Sequence, residues 1–414
     1  MTDPICFRQT AGTCLLVLVL LLAGSARPLQ AQDLVRLTDI AGEQFEGNLK
    51  SWSTDQLVLA SPEERLFQHS RLQSVRFERS NATRSHTSPS IWLTNGDRLA
   101  ARSLTVDKEV LSLSWTVRSD KELSSIPLED ITAIIFDWPH TVQERLRLIA
   151  DLETLSAGSD LVMLSNGDRT FGEFQRLDAA FVELKVAGKT LKLDRSRVRA
   201  IRLDPELATL TRPMGKRVVL TLVDGSQLTV TGLEIEEEFL KAKSTHLGSF
   251  ALPVAAIVGC HFFGDGLVPV ADYEPEKVEY TPYLSGRWSL VRNANVLHGP
   301  LTIQETEYVT GLGMHSRMSA TYALRGDEKA FRALVGIDDV ATDLGSVRFT
   351  VELDGRRIWS SPEMTGKAPV KSTQNLSLEG GKKLTLTVEF GEYADVGDYA
   401  NWCDAVFVLA SLDE

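Results

Sequence analysis

The sequence predicts a mainly β protein, a series of small β repeats followed by a C-terminal β-sandwich. Three observations carry this. First, a polar turn holding glycine recurs four times: Thr38-Asp39-Ile40-Ala41-Gly42, Thr94-Asn95-Gly96-Asp97, Ser165-Asn166-Gly167-Asp168 and Val223-Asp224-Gly225-Ser226. Asn-Gly and Asp-Gly between apolar runs are strong hairpin signals, because the turn needs positive φ. Second, each turn is followed about 35 to 40 residues later by an apolar closing strand, at Leu72–Phe77, Ile131–Phe136, Val198–Leu203 and Ala256–Phe262. Third, the tail alternates strictly. Val347, Phe349, Val351 and Leu353 oppose Arg348, Thr350 and Glu352, and Leu384, Leu386, Val388 and Phe390 oppose Thr385, Thr387 and Glu389. That period buries one face and wets the other, as in an antiparallel sheet. Asp354-Gly355 closes the first of these runs as a hairpin turn.

Taken in order, the chain opens with a targeting segment, residues 1–31. Arg8 precedes the continuous apolar run Cys14–Ala23, and Leu29-Gln30-Ala31 offers a cleavage site before Gln32. The run is about half of what a bilayer span needs, which favours a secretory signal peptide over the alternative, an uncleaved anchor. No later segment is long and apolar enough to cross a membrane. Repeats are expected over 32–79, 88–137, 160–204 and 213–264. Four or five short strands in about 50 residues suit a small SH3-like or Sm-like barrel. The turn glycines Gly42, Gly96, Gly167 and Gly225 lie 54, 71 and 58 positions apart, too irregular for a propeller. The widest gap holds an amphipathic helix over 139–158, with Val142, Leu146, Ile149, Leu152 and Leu155 on one stripe and Thr141 with Glu144 as a capping box. Because this helix separates the first two repeats from the last two, grouping in those pairs is expected. A polar linker at Ser80–Ser90 contains the glycosylation sequon Asn81-Ala82-Thr83. Leu267–Pro282, acidic and broken by prolines, reads as the boundary before a C-terminal domain at 270–414.

Composition narrows the function classes. The 414-residue chain is too long for one ordinary core, and its net charge of −12 without a basic run argues against a nucleic-acid partner. After cleavage two cysteines remain, Cys260 and Cys403; export permits a disulfide, and two buried free thiols are the alternative. The seven histidines are scattered, with no nucleophile elbow and no zinc-binding helix motif. Asp97, Asp168 and Asp224 recur at turns, where aspartate serves the local backbone. Glu234–Glu238 offers carboxylates, but a run in one segment is more often a solvated face than the cleft-flanking pair of a glycosidase.

The most informative stretch runs through Gly311-Leu312-Gly313-Met314-His315-Ser316, Gly336-Ile337-Asp338-Asp339, Gly345-Ser346-Val347-Arg348-Phe349 and Asp398-Tyr399-Ala400-Asn401-Trp402-Cys403-Asp404-Ala405. In this order of landmarks the tail, roughly Tyr280–Ala410, resembles the NPCBM family of carbohydrate-binding modules, galactose-binding-like β-sandwiches of jelly-roll type. Members often carry histidine after the aspartate of the closing motif; here the residue is Tyr399. The resemblance implies sugar binding at loops on one sandwich end, with His315, Asp338, Asp339, Asp398, Tyr399 and Trp402 as candidates. Aromatic faces suit the CH patch of a pyranose and polar groups suit its hydroxyls. It also implies a structural calcium, with Asp404 as its candidate ligand. The resulting expectation is an exported, non-catalytic glycan-binding protein, secreted, periplasmic or held at the cell envelope. The alternatives are an envelope scaffold with protein partners and an accessory part of a glycoside hydrolase system.

Overall fold

The computed structural model describes residues 34–410, apart from 62, 79–88, 119–122, 140, parts of 142–157, 209–214, 265, 284–285, 342 and 393. The targeting segment and the sequon lie outside the described residues. Among the described residues no helix is long and apolar enough to cross a membrane.

One five-strand pattern is written four times. In the first unit it is Leu34–Asp39, Gln44–Trp52, Gln56–Ser61, Glu63–Gln68 and Leu72–Phe77, with a single 3-10 turn, His69–Arg71, before the fifth strand. The same 3-10 turn recurs at Leu128–Asp130, Arg195–Arg197 and Val254–Ala256, each ahead of a fifth strand: Ile131–Ile135, Val198–Arg202 and Ile257–Phe263. The second strand is the long one. In every unit its register shifts midway, at Leu49/Ser51, Ala101/Ser103, Phe174/Arg176 and Thr231/Glu234. Such a bulge bends a strand, so its first half pairs with strand one and its second half with strand three. The burial follows the alternation: in Val110–Trp115, Leu111, Leu113 and Trp115 are buried.

The units do not pair in chain order. The fifth strand of unit one lies against that of unit four, with Val75 opposite Cys260 and Arg76 opposite Gly259. The fifth strands of units two and three pair likewise, Ile134 opposite Ile201. The expected grouping of one with two and three with four is therefore corrected. Gly259 shows the steric reason on one side: a Cβ there would sit 2.6 Å from the Val75 carbonyl oxygen. The four units share one continuous apolar core running from Val35 to Phe262.

The described part of the amphipathic stretch is helical at Glu144, Arg147, Leu148, Asp151 and Leu152. Thr141 Oγ1 accepts the Glu144 N–H at 3.3 Å, half of a capping box. Leu148 and Leu152, one turn apart, are buried against Ile135, Leu161, Met163 and Ala200. The helix thus seals the joint between units two and three; Leu148 was absent from the expected stripe, and the other stripe positions lie outside the described residues.

The C-terminal part is a sandwich of two antiparallel sheets. Strand Tyr399–Leu409 runs between Gly311–His315 and Glu328–Ile337 in one sheet. Strand Lys383–Phe390 runs between Met318–Ala323 and Ser346–Leu353 in the other. Leu312, Phe331, Phe349, Leu386 and Trp402 fill the space between them. Asp354 and Gly355, at φ 50° and 78°, make the two-residue hairpin turn. The segment expected as a boundary is part of the sandwich: Leu267–Pro269 pairs with Val406–Val408, and Lys277–Tyr280 with Met318–Thr321. Cys260 and Cys403 are buried free thiols. The sandwich is tied to the first unit by Arg332, whose Nη2 donates to Gln73 Oε1 and, at 3.3 Å, to the Ile40 carbonyl.

Candidate functional site

The register of the first sheet brings sequence-distant groups to one end of the sandwich. His315 ends its strand directly opposite Tyr399, which starts the next. Gly313, two residues earlier, has no room for a side chain, because a Cβ would lie 2.4 Å from the Val296 nitrogen. His315 is almost wholly buried, 2% exposed. The indole of Trp288 lies flat on it, with ring centroids 4.4 Å apart and planes 5° apart. Tyr399 stands 5.9 Å from the imidazole and 5.7 Å from the indole. Tyr280 meets the imidazole edge-on at 6.4 Å. Trp288, Tyr280 and Tyr399 are each partly exposed, and Tyr283, edge-on to Phe390, is well exposed.

The protonation of His315 follows from its surroundings. Its Nδ1 lies 2.7 Å from the Ser316 carbonyl, which only accepts, so Nδ1 carries the hydrogen and Nε2 is left as an acceptor. Burial lowers its pKa, so the ring is neutral at neutral pH. Tyr280 Oη is buried, with no hydrogen-bond partner among the described residues. A flat, neutral aromatic stack edged by a ring acceptor and the Tyr399 phenol is chemistry that suits the CH face and hydroxyls of a pyranose.

The other expected contacts are structural. Asp338 is fully buried, accepting the Thr302 N–H at 3.0 Å and Asn401 Nδ2 at 2.6 Å on Oδ2, and the Val340 N–H at 3.1 Å on Oδ1. Burial raises its pKa. Asp339 is exposed, but its oxygens accept the N–H groups of Gln304 and Glu305 at 2.7 and 2.8 Å, holding a turn whose residues have positive φ. Asp398, 1% exposed, accepts the Ser346 N–H at 2.8 Å and the Ser316 hydroxyl, which pins the loop under the aromatic rim. Desolvation raises its pKa to about 6. Trp402 is entirely buried, edge-on to Phe349 at 5.2 Å. It shares the parity of Ala400 along the strand, which faces the core, so it cannot touch a ligand. Trp288 and Tyr280 were missed at the sequence level: Tyr280 falls in the stretch read as a boundary, Trp288 lies beyond it and belongs to no landmark, and a cluster of Tyr280, Tyr283 and Trp288 within nine residues was the available signal.

Asp404 lies elsewhere, opposite His261 of the fourth repeat, with Nε2 to Oδ1 at 3.3 Å. Calcium takes six to eight oxygens, and an imidazole is a poor neighbour for it. Among the described residues no group of three or more His, Cys, Asp or Glu side chains is placed to hold a metal ion. The donor set around Asp404 does not fit calcium.

Comparison with known proteins agrees with the tail's landmarks. The family model of the NPCBM/NEW2 domain matches residues 270–408. A protein of Renibacterium salmoninarum, provisionally named an endo-alpha-N-acetylgalactosaminidase, is 31% identical over 112 residues, which are 27% of this chain and 7% of that protein. Among solved structures, the CBM51 of a Clostridium perfringens GH95 protein in complex with methyl-galactose matches at 23% identity and a TM-score of 0.31, covering 34% of this chain and 99% of that one. The tandem CBM51 modules of a Streptococcus pneumoniae family 98 glycoside hydrolase match at 13% identity and a TM-score of 0.30, covering 78% and 99%.

Proposed function

We propose that this chain is an exported, non-catalytic glycan-binding protein whose sandwich takes saccharide at the rim of Trp288, His315, Tyr399 and Tyr280, a reading supported by the match of residues 270–408 to the NPCBM/NEW2 domain model. The observation that carries the reading is the partly exposed indole lying flat on a buried, neutral imidazole. Stacking on such a platform supplies affinity, while Nε2 of His315 and the Tyr399 phenol supply direction to sugar hydroxyls. The targeting pattern of residues 1–31 supports the export and cell-envelope part of this reading. The test is calorimetric titration of the chain with galactose, N-acetylglucosamine and polysaccharides built from them, alongside Trp288→Ala. Loss of binding by at least about tenfold in the variant is expected, the equivalent of one stacking contact. Equal binding by both proteins would refute the rim. No binding of any glycan by the folded wild type would favour an envelope scaffold with a protein partner.

The likeness to a protein provisionally named a glycosidase favours one further reading, a targeting module acting beside a hydrolase. Steady hydrolysis of aryl glycosides by this chain alone would overturn the non-catalytic assignment.

A further inference from the structure

The aromatic rim occupies only part of the sandwich end on which it sits. Tyr280 pairs with Met318, and Met318 with Val388, so these three form one cross-strand row in the second sheet. Phe390 is two residues beyond Val388, toward that same end, and closes its strand. Tyr283, 54% exposed, stands edge-on to Phe390, with ring centroids 5.6 Å apart and planes at 80°. Two strand spacings and two residues of rise put Phe390 roughly 12 Å from Tyr280. The rings of the rim are only 4.4 to 6.4 Å apart, so one sugar ring cannot lie on both groups.

The stretch between the two groups is polar and joined to each. Arg317 lies two residues after His315, and Glu389 directly precedes Phe390. Arg317 Nε is 3.0 Å from Glu389 Oε2, with Arg317 exposed and Glu389 partly so. The Arg317 carbonyl accepts the Thr281 N–H at 2.9 Å, which ties down the start of the segment that carries Tyr283. As a unit the ion pair is neutral, and its remaining N–H groups and carboxylate lone pairs suit hydroxyls. Apolar side chains also gather here. Among the described residues of the sandwich, the large apolar side chains left exposed are Val278, Tyr283, Leu344 and Val396, and the last three lie in loops that join strands at this end. Such a gathering, at the end that carries the ring stack, marks a ligand face larger than one ring. We infer that this end takes an oligosaccharide of two or more neutral sugar residues, with one ring on the Trp288–His315 stack, a further ring on Tyr283 beside Phe390, and hydroxyls between them on Arg317 and Glu389. The inference rests on the reading of the rim as a saccharide site and adds the length of ligand that the site takes.

The test is calorimetric titration of the full chain with galactose, N-acetylglucosamine, the disaccharide N-acetyllactosamine and the tetrasaccharide of two such units. The tetrasaccharide is expected to bind at least about tenfold more tightly than the better of the two monosaccharides, the equivalent of one further stacking contact. Tyr283→Ala, at a position more than half exposed, is expected to abolish that gain and to leave monosaccharide affinity unchanged, while Trp288→Ala weakens every probe. Equal affinity for monosaccharide and tetrasaccharide in the wild type would overturn the inference without relying on any variant's folding. So would a Tyr283→Ala chain that keeps the gain, or one that loses monosaccharide binding in the same proportion. Failure of the rim shows itself in monosaccharide binding alone. That binding is then unchanged in Trp288→Ala, or it is absent from the wild type, as when a protein partner covers this end, and either result takes the inference down with the rim. Failure of the extension by itself leaves monosaccharide binding and its dependence on Trp288 intact.

Discussion

Replacing Asp398 with asparagine isolates the cost of a buried carboxylate beneath the candidate rim. Its pKa is raised from 3.8 to about 6, chiefly by desolvation, against the opposing hydrogen bonds from Ser316 and Ser346. The folded protein therefore holds this proton more tightly than the unfolded chain between those two values. Its stability falls as pH climbs through that window and levels off above about pH 6. A shift of about two units corresponds to about 3 kcal/mol of destabilisation at neutral pH. Asparagine has the same shape; its Oδ1 accepts the Ser346 N–H and its Nδ2 donates to the Ser316 hydroxyl, so the contacts survive while the charge is removed. Urea unfolding of wild type and Asp398→Asn between pH 4 and 8 is the assay. All other titrating groups are common to both proteins, so their stability difference reports Asp398 alone. The variant should gain on the wild type as pH rises from 4 to 7, by an amount on the order of 3 kcal/mol, with glycan binding unchanged. Two stability curves that stay parallel across this range would refute the buried, desolvated assignment.

Other substitutions separate structural from ligand-facing groups. Trp402→Ala removes an indole packed between Phe331 and Phe349 and should cost about 3–5 kcal/mol in urea unfolding, whereas Trp288→Ala, at the partly exposed rim, should cost only about 1 kcal/mol. Gly259→Val places a Cβ 2.6 Å from the Val75 oxygen and should destabilise the junction of units one and four by about 2 kcal/mol or more; a chain as stable as wild type would contradict the strand pairing. Arg332→Ala strips the buried Gln73 of its partner, an expected loss of about 1–3 kcal/mol, seen as faster amide exchange around Ile40 and Gln73.

The local devices were legible. Asn166 Oδ1 accepting the Asp168 N–H at 3.1 Å, and Asp224 Oδ1 accepting that of Ser226 at 2.9 Å, are contacts within three residues. Any sequence with those side chains and a glycine of positive φ will make them. Asp97 carries the same signature, yet its Oδ1 accepts the N–H and hydroxyl of Thr229, 132 positions away. Nothing near Asp97 distinguishes it from Asp168. The candidate site divides in the same way: the landmarks marked the strand ends that hold His315 and Tyr399, and missed Trp288, which reaches them from a segment that carries no landmark.

The sequence by itself determined the strands, the turns, the fourfold pattern and the sandwich at the tail, because alternation and turn geometry depend on neighbours along the chain. Only the tertiary structure decided which fifth strands join, which aromatic residues face outward, and which carboxylates are spent on backbone N–H groups. Those choices depend on what arrives from distant positions: the missing Cβ at Gly259 beside Val75, or the indole of Trp288 on the imidazole of His315. Local pattern carries no record of such partners, since each fifth strand and each polar turn presents the same face until its neighbour is in place.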